Sequence, residues 1–177
     1  MRSDYIEAET FEHILSALTI ENRLALIVSL TTGLRIDDVL HLKTSDILKG
    51  RFSIKEMKTG KTRRVRLGKK LQEDLLSIAG RFYVFEHRND VKRCRTRQAV
   101  NKDLKRACTL FRVKGVNVTP HTARKIYSVG EYKSTCNFER VKDLLNHSNE
   151  SVTVLYAMAD IITERNNKNK KINVPKI

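Results

Sequence analysis

The chain has 177 residues, enough for one domain with a buried core, and a formal net charge of +15, which favours nucleic acid as a partner because Lys and Arg neutralise phosphates. The start lacks the apolar core of a signal peptide and no apolar run is long enough to span a bilayer, so we expect a cytoplasmic protein. The three cysteines are odd in number and have no Cys-x-x-Cys spacing, which argues against a disulfide framework or a zinc site.

The first part of the chain shows the periodicity of helices. Apolar residues at helical spacing predict an amphipathic helix over residues 8–18. A second, largely apolar helix is predicted over residues 21–32, with Gly33 at the left-handed position that ends it. Arg35 then begins a further helical turn with two aspartates in its first residues, where acidic side chains suit the helix dipole.

A change of period between residues 51 and 67 predicts a β-hairpin. Apolar and polar residues alternate on both sides of a glycine-containing turn at residues 58–61. A short third strand is predicted around Tyr83–Phe85.

The helical period returns after Thr96, which is placed to cap a helix with one apolar face. Thr119 followed by Pro120 is typical of the N-cap and first position of another helix. Asn137 is placed to cap a short helix that continues through Leu145.

Positive charge is concentrated in one segment. Thirteen Lys and Arg residues lie between Arg81 and Lys125, against three acidic residues, which is typical of a surface that follows a phosphate backbone. A solvated basic surface without a partner is the alternative. The residues predicted to contact DNA are Lys61, Arg97, Lys102, Lys105 and Arg106.

Six polar side chains have the chemistry to break a DNA phosphodiester without a metal. They are Arg35, Lys58, His121, Arg124, His147 and Tyr156. A guanidinium group can donate hydrogen bonds to two phosphate oxygens at once. A tyrosine nucleophile has a pKa of about 10 and therefore needs a proton acceptor, and the departing sugar hydroxyl needs a proton donor. Because no group of acidic residues has metal-ligand spacing, we expect neither a metal nor a cofactor.

The order and spacing of these six residues resemble the catalytic domain of the tyrosine recombinases, or phage-type integrases. The resemblance implies that Tyr156 attacks the phosphorus and forms a 3′-phosphotyrosyl link without metal or ATP. The other implied roles are phosphate binding by Arg35 and Arg124, protonation of the leaving oxygen by Lys58, acceptance of the tyrosine proton by His121, assistance by His147, and structural support by Asp38. Lys61 is a rival to Lys58, because the turn can present either side chain.

The resemblance also implies a fold, which is mainly α with a small antiparallel β-sheet (α+β). Residues 1–165 would be the catalytic domain and residues 166–177 a basic, flexible tail. The β-branched residues within residues 151–156 favour a strand by propensity, whereas the resemblance implies a helix, which we expect here. The resemblance extends only to the family's catalytic domain and not to its N-terminal DNA-clamping domain, so we expect either a fragment of a longer protein or a natural single-domain recombinase. Asn146 stands where the family usually has glycine.

The partners implied are double-stranded DNA with a specific recombination site and further copies of this chain. We expect a monomer in solution, a homotetramer on synapsed DNA, and no membrane association. An apolar C-terminal surface is predicted to dock on a neighbouring copy, and it consists of Ile161, Ile162 and the cluster Ile172–Ile177. The alternatives are a type IB topoisomerase, which shares the chemistry, and a DNA-binding protein that does not cleave.

Overall fold

The computed structural model describes residues 3–145, except the side chain of Phe138, and over this range the chain is mainly helical with two small antiparallel sheets. The helices are α1 (Ala8–Leu15), α2 (Ile20–Thr32), α3 (Ile36–Leu40), α4 (Thr44–Leu48), α5 (Lys69–Ile78), α6 (Arg97–Leu110), α7 (Pro120–Thr135) and α8 (Phe138–Leu144). The strands are β1 (Arg51–Lys55), β2 (Thr62–Arg66), β3 (Glu86–His87) and β4 (Asp90–Cys94). The predicted fold class is therefore confirmed.

The chain divides into two compact units, Met1–Ser128 and Val129–Ile177. The first unit contains α1 to α6, both sheets and the beginning of α7. Its core is built around large, fully buried side chains such as Phe11, Leu26 and Phe85. In the described part of the second unit, α7 ends and α8 follows, capped by Asn137 as predicted. None of the helices among residues 3–145 is long and apolar enough to cross a membrane.

The end of α2 is fixed by a glycine that has little room around it. Gly33 has φ +67° and donates its N–H to the Ser29 carbonyl at 2.9 Å, so it closes the helix in the left-handed conformation, as predicted. The ring of Tyr127, on α7, lies over it, and a Cβ at this position would stand 2.4 Å from the ring carbons. The absence of a side chain at Gly33 thus lets α7 approach the end of α2.

The predicted hairpin is present as β1 and β2. Phe52 pairs with Val65, and both side chains are buried. The turn is closed by the Glu56 N–H, which donates to the Lys61 carbonyl at 2.9 Å, and by the Gly60 N–H, which donates to the Glu56 carbonyl at 2.8 Å.

The predicted third strand at Tyr83–Phe85 is wrong. The strand β3 begins one residue later, at Glu86, whereas Tyr83 forms only an isolated bridge with Lys43. Val84 and Phe85 are buried in the hydrophobic core, so their strand-like composition reflects burial rather than a ladder.

Further differences from the predicted elements concern the end of one helix and three elements that were not predicted. Helix α1 ends at Leu15 rather than at residue 18, and the hydroxyl of Ser16 donates to the carbonyl of His13 at 2.7 Å. Strand β4 and the helices α4 and α5 were not predicted. Helix α5 carries Leu71, Leu75 and Ile78 at helical spacing, a signal that the sequence analysis missed. Strand β4 is made largely of polar residues and offers no clear apolar period.

Two glycines with the same backbone angle provide a matched test of the close approach at the end of α2. Gly33 and Gly60 both have φ +67°, but nothing lies within 4 Å of a Cβ added to Gly60. Gly60→Ala should therefore cost only the backbone strain, about 1 kcal/mol of the free energy of unfolding. Gly33→Ala adds the clash with Tyr127 and should cost about 3 kcal/mol or more. Denaturant unfolding measures both, and equal losses would contradict the packing described here.

Candidate functional site

Arg35 lies directly after α2, where the chain turns into α3. Its backbone is extended, with φ −68° and ψ 147°, and its side chain is only 5% exposed. Nη1 donates to Oε2 of Glu56 at 2.7 Å. Glu56 follows β1 and is 0% exposed, so the two residues form a fully buried ion pair between the end of α2 and the hairpin.

Arg124 lies in the second turn of α7 and points to the same place. It is 7% exposed, and its Nη1 donates to the carbonyl of Gly33 at 2.5 Å. Burial, and after it the positive charge of Arg35, lower the pKa of Arg124 to about 10, although the negative charge of Glu56 works against the shift. The structure therefore brings the two predicted arginines into one electrostatic cluster, and their catalytic roles stay predictions.

Two members of this cluster were missed by the sequence analysis, namely Glu56 and Arg63. Arg63, on β2, donates from Nη2 to the Thr32 carbonyl at 2.5 Å, and its Nη1 lies 3.9 Å from Oε1 of Glu56. A signal for Glu56 was available, since it is the one acidic residue between Asp46 and Glu73, in an otherwise basic hairpin.

Asp38 connects α3 to the hairpin turn. It is 1% exposed, and its Oδ1 accepts a hydrogen bond from the Met57 N–H at 2.8 Å. Burial raises the pKa of this carboxyl group, although the hydrogen bond from Met57 works against the rise. This contact ties Asp38 to the residue next to Lys58, which suits the supporting role predicted for it.

Of the remaining predicted catalytic residues, the lysines of the hairpin turn and His121 lie within residues 3–145. Lys58 and Lys61 are both exposed on the hairpin turn, so the choice between them stays a prediction. His121 is partly exposed and lies one helical turn before Arg124. Its backbone N–H donates to the hydroxyl of Thr119, the predicted cap, at 3.3 Å. His147 and Tyr156 lie outside the described residues.

The five predicted DNA-contact residues are all exposed, but three of them already have partners within the fold. Arg106 binds both Asp103, at 2.8 Å, and the carbonyl of Ala17. Lys105 donates to Asn117 at 2.7 Å, and Arg97 lies 3.4 Å from Asp37. The roles of all five in DNA binding stay predictions.

The cluster has a shortage of negative charge. Three guanidinium groups, from Arg35, Arg63 and Arg124, meet two carboxyl groups, from Asp38 and Glu56. Among the described residues, Nε and Nη2 of Arg35 have no hydrogen-bond partner. A phosphate diester carries one negative charge and offers acceptor oxygens to such a fork. Since Arg35 and Arg124 are buried, covering groups must move before a phosphate reaches them.

No group of His, Cys, Asp and Glu residues within residues 3–145 has the arrangement of a metal site.

The sequence is similar to those of known proteins over most of its length. The model of the phage integrase family matches residues 4–161. The chain is 26% identical over 155 residues to the probable integrase/recombinase YoeC of Bacillus subtilis (strain 168), covering 78% of both chains.

Solved structures show the same fold. The λ integrase(75–356) dimer bound to a COC′ core site has a TM-score of 0.70 at 22% identity, and the match covers 87% of this chain and 59% of that chain. The λ integrase catalytic core has a TM-score of 0.68 at 22% identity, covering 84% and 93%. XerH recombinase bound to difH substrate has a TM-score of 0.66 at 20% identity, covering 85% and 49%. This chain therefore spans little more than half of the λ integrase chain in the core-site complex.

Substitution of Asp38 separates its hydrogen bond from its charge. Asp38→Asn keeps an acceptor for the Met57 N–H and removes a charge that burial disfavours, so its free energy of unfolding should stay within about 0.5 kcal/mol of wild type. Asp38→Ala leaves the buried N–H without an acceptor and should cost about 1–2 kcal/mol. Hydrogen exchange at the Met57 amide should accelerate only in Asp38→Ala. Equal effects of the two substitutions would show that this hydrogen bond does not hold the turn.

Proposed function

Because the chain belongs to the phage integrase family, we propose that it is a site-specific DNA recombinase that cleaves and rejoins strands through a 3′-phosphotyrosyl intermediate. The observation that carries this proposal is the buried pair of guanidinium groups, Arg35 and Arg124, in a cluster with surplus positive charge. Two such groups on separate elements match the needs of a phosphodiester whose oxygens gain charge during attack.

The two arginines supply electrostatic stabilisation in this proposal. Attack on the phosphorus places additional negative charge on the non-bridging oxygens, and hydrogen bonds from guanidinium groups strengthen as that charge develops. Because the groups are buried and held by Glu56 and the Gly33 carbonyl, they need little reorganisation when the charge appears. Low local dielectric strengthens the same interactions.

The remaining steps are proton transfers and covalent attack. Tyr156 attacks the phosphorus, forms a phosphotyrosyl ester and releases a sugar hydroxyl, so the bond energy is kept for rejoining and neither ATP nor a metal is consumed. His121, near Arg124 on α7, accepts the tyrosine proton, and Lys58, on the exposed turn beside Glu56, protonates the leaving oxygen. His147 assists at the phosphate, and Asp38 supports the turn.

The partner proposed is double-stranded DNA carrying a recombination site. The structural neighbours include a λ integrase dimer bound to a core site and a λ integrase tetramer bound to a Holliday junction. By analogy, copies of this chain assemble as a tetramer on two DNA duplexes, with the exposed basic residues contacting the backbone. The formal charge of +15 supports that contact.

A library of nicked duplexes with a randomised core tests the chemistry. After cleavage the short strand beyond the nick diffuses away, so wild type should accumulate adducts that survive denaturing detergent and share one recovered sequence. Tyr156→Phe should give no adduct and bind the same DNA equally well, because it loses only the nucleophile.

Two results would contradict the proposal. DNA binding without any wild-type adduct would indicate a protein that binds but does not cleave. Adducts without sequence enrichment, together with relaxation of supercoiled plasmid, would indicate a type IB topoisomerase.

The salt dependence of binding tests the predicted basic surface. Lys102 is exposed on α6, and Lys70 is exposed on α5 and provides a matched change of charge. The logarithm of the DNA-binding constant falls linearly with the logarithm of the salt concentration, and each phosphate contact contributes about one unit to that slope. Lys102→Ala should therefore make the slope shallower by about one unit on every duplex sequence, whereas Lys70→Ala should leave it unchanged. Fluorescence anisotropy over a salt series measures the slopes. A loss confined to one sequence would mean that Lys102 contacts a base.

A further inference from the structure

Glu56 has been described so far only as a group that holds Arg35, yet it is the most deeply buried charged residue of the cluster. It is 0% exposed, its Oε2 accepts from Arg35 at 2.7 Å and from the Thr59 hydroxyl at 3.1 Å, and its Oε1 lies 3.9 Å from Arg63. A carboxylate with these neighbours has the contacts that a bound anion would have.

Burial makes such an anion necessary. Taking a guanidinium group out of water costs several kcal/mol unless an opposite charge accompanies it. Arg35, Arg63 and Arg124 are all largely buried, and each of them lies near Glu56. Of the two carboxyl groups, Glu56 is the one that lies within ion-pair distance of Arg35 and Arg63.

Glu56 also leaves part of Arg35 unoccupied. It accepts from Nη1, whereas Nε and Nη2 have no partner among the described residues. Nε and Nη2 together form one edge of the guanidinium plane, which is the edge that binds two oxygens of a phosphate side by side. A carboxylate on Nη1 fixes the rotation of the group and so sets where that edge lies.

We propose that Glu56 is an internal counterion that stands in for phosphate: it positions Arg35 before DNA binds and competes with the DNA phosphate for the same positive charge. The inference rests on the proposed function in taking DNA phosphate as the competing anion. Glu56 is thus a positioning residue that acts through Arg35. Its negative charge stabilises the folded protein and weakens the binding of phosphate, so its removal moves the two properties in opposite directions.

Anion rescue tests the proposal without any cleavage. Glu56→Ala opens a space and removes the charge, whereas Glu56→Gln removes the charge and keeps the shape. Glu21→Gln is the matched control, because Glu21 pairs with Arg95 at 3.5 Å and is 38% exposed. Melting temperatures are measured in inorganic phosphate and in chloride at equal ionic strength.

The expected result is specific to the site. Both Glu56 variants should melt below Glu21→Gln in chloride, and phosphate should raise their melting temperatures by a shift several-fold larger than that of wild type or the control. Adding Arg35→Met to Glu56→Ala should abolish the extra shift. If Glu56→Ala does not fold, Glu56→Gln decides the question alone. Equal phosphate shifts in wild type and Glu56→Gln would overturn the proposal.

DNA affinity provides a second measurement with the opposite sign. In a Tyr156→Phe background, Glu56→Gln should bind duplex DNA about tenfold more tightly than Glu21→Gln, because one repulsive charge near the phosphate is gone. A purely structural role for Glu56 predicts weaker binding, and that result would overturn the proposal. If wild type forms no covalent adduct, the recombinase proposal fails, while the phosphate shift and the affinity change still decide the role of Glu56.

Discussion

Two like charges buried next to each other are the constraint that the rest of the site accommodates. Arg35 and Arg124 are each more than nine-tenths buried, and the charge of Arg35 adds to burial in lowering the pKa of Arg124. In a low-dielectric interior this repulsion is large, so it must be offset by carboxylates and by dipoles that cannot move away. Glu56 supplies a carboxylate, and the end of helix α2 supplies the backbone dipoles.

The end of α2 is well suited to this task. The last carbonyls of a helix lack partners within the helix and carry the negative end of its dipole. Here the carbonyl of Thr32 accepts from Arg63 and that of Gly33 accepts from Arg124, so guanidinium groups satisfy both. The left-handed backbone of Gly33 ends the helix at this point, and its missing side chain admits Tyr127 and with it α7. A local stop signal in the sequence thereby determines where the three arginine side chains meet.

Those parts of the site that depend on local signals could be predicted from the sequence. The stop at Gly33, the hairpin turn and the start of α7 all follow from residue types within a few positions of one another. Glu56 and Arg63 were missed, because a basic hairpin normally indicates a solvated surface and their partners lie more than twenty residues earlier. The lone acidic residue in that hairpin is a local signal for Glu56, but it does not identify the partner. The predicted third strand was wrong for a related reason, since burial and strand pairing favour the same residue types.

The contrast between buried and exposed charge suggests an order of events during recognition. Within three residues the hairpin passes from Glu56, which is fully buried, to Lys58, which is exposed. Exposed cations attract DNA at a distance and without regard to sequence, but they are screened by salt and strongly hydrated. Buried guanidinium groups act only on a phosphate that has lost its water and displaced the groups covering them. Non-specific attraction should therefore come first, and tight engagement of one phosphate by Arg35 and Arg124 should follow only where the DNA is held long enough for the site to open.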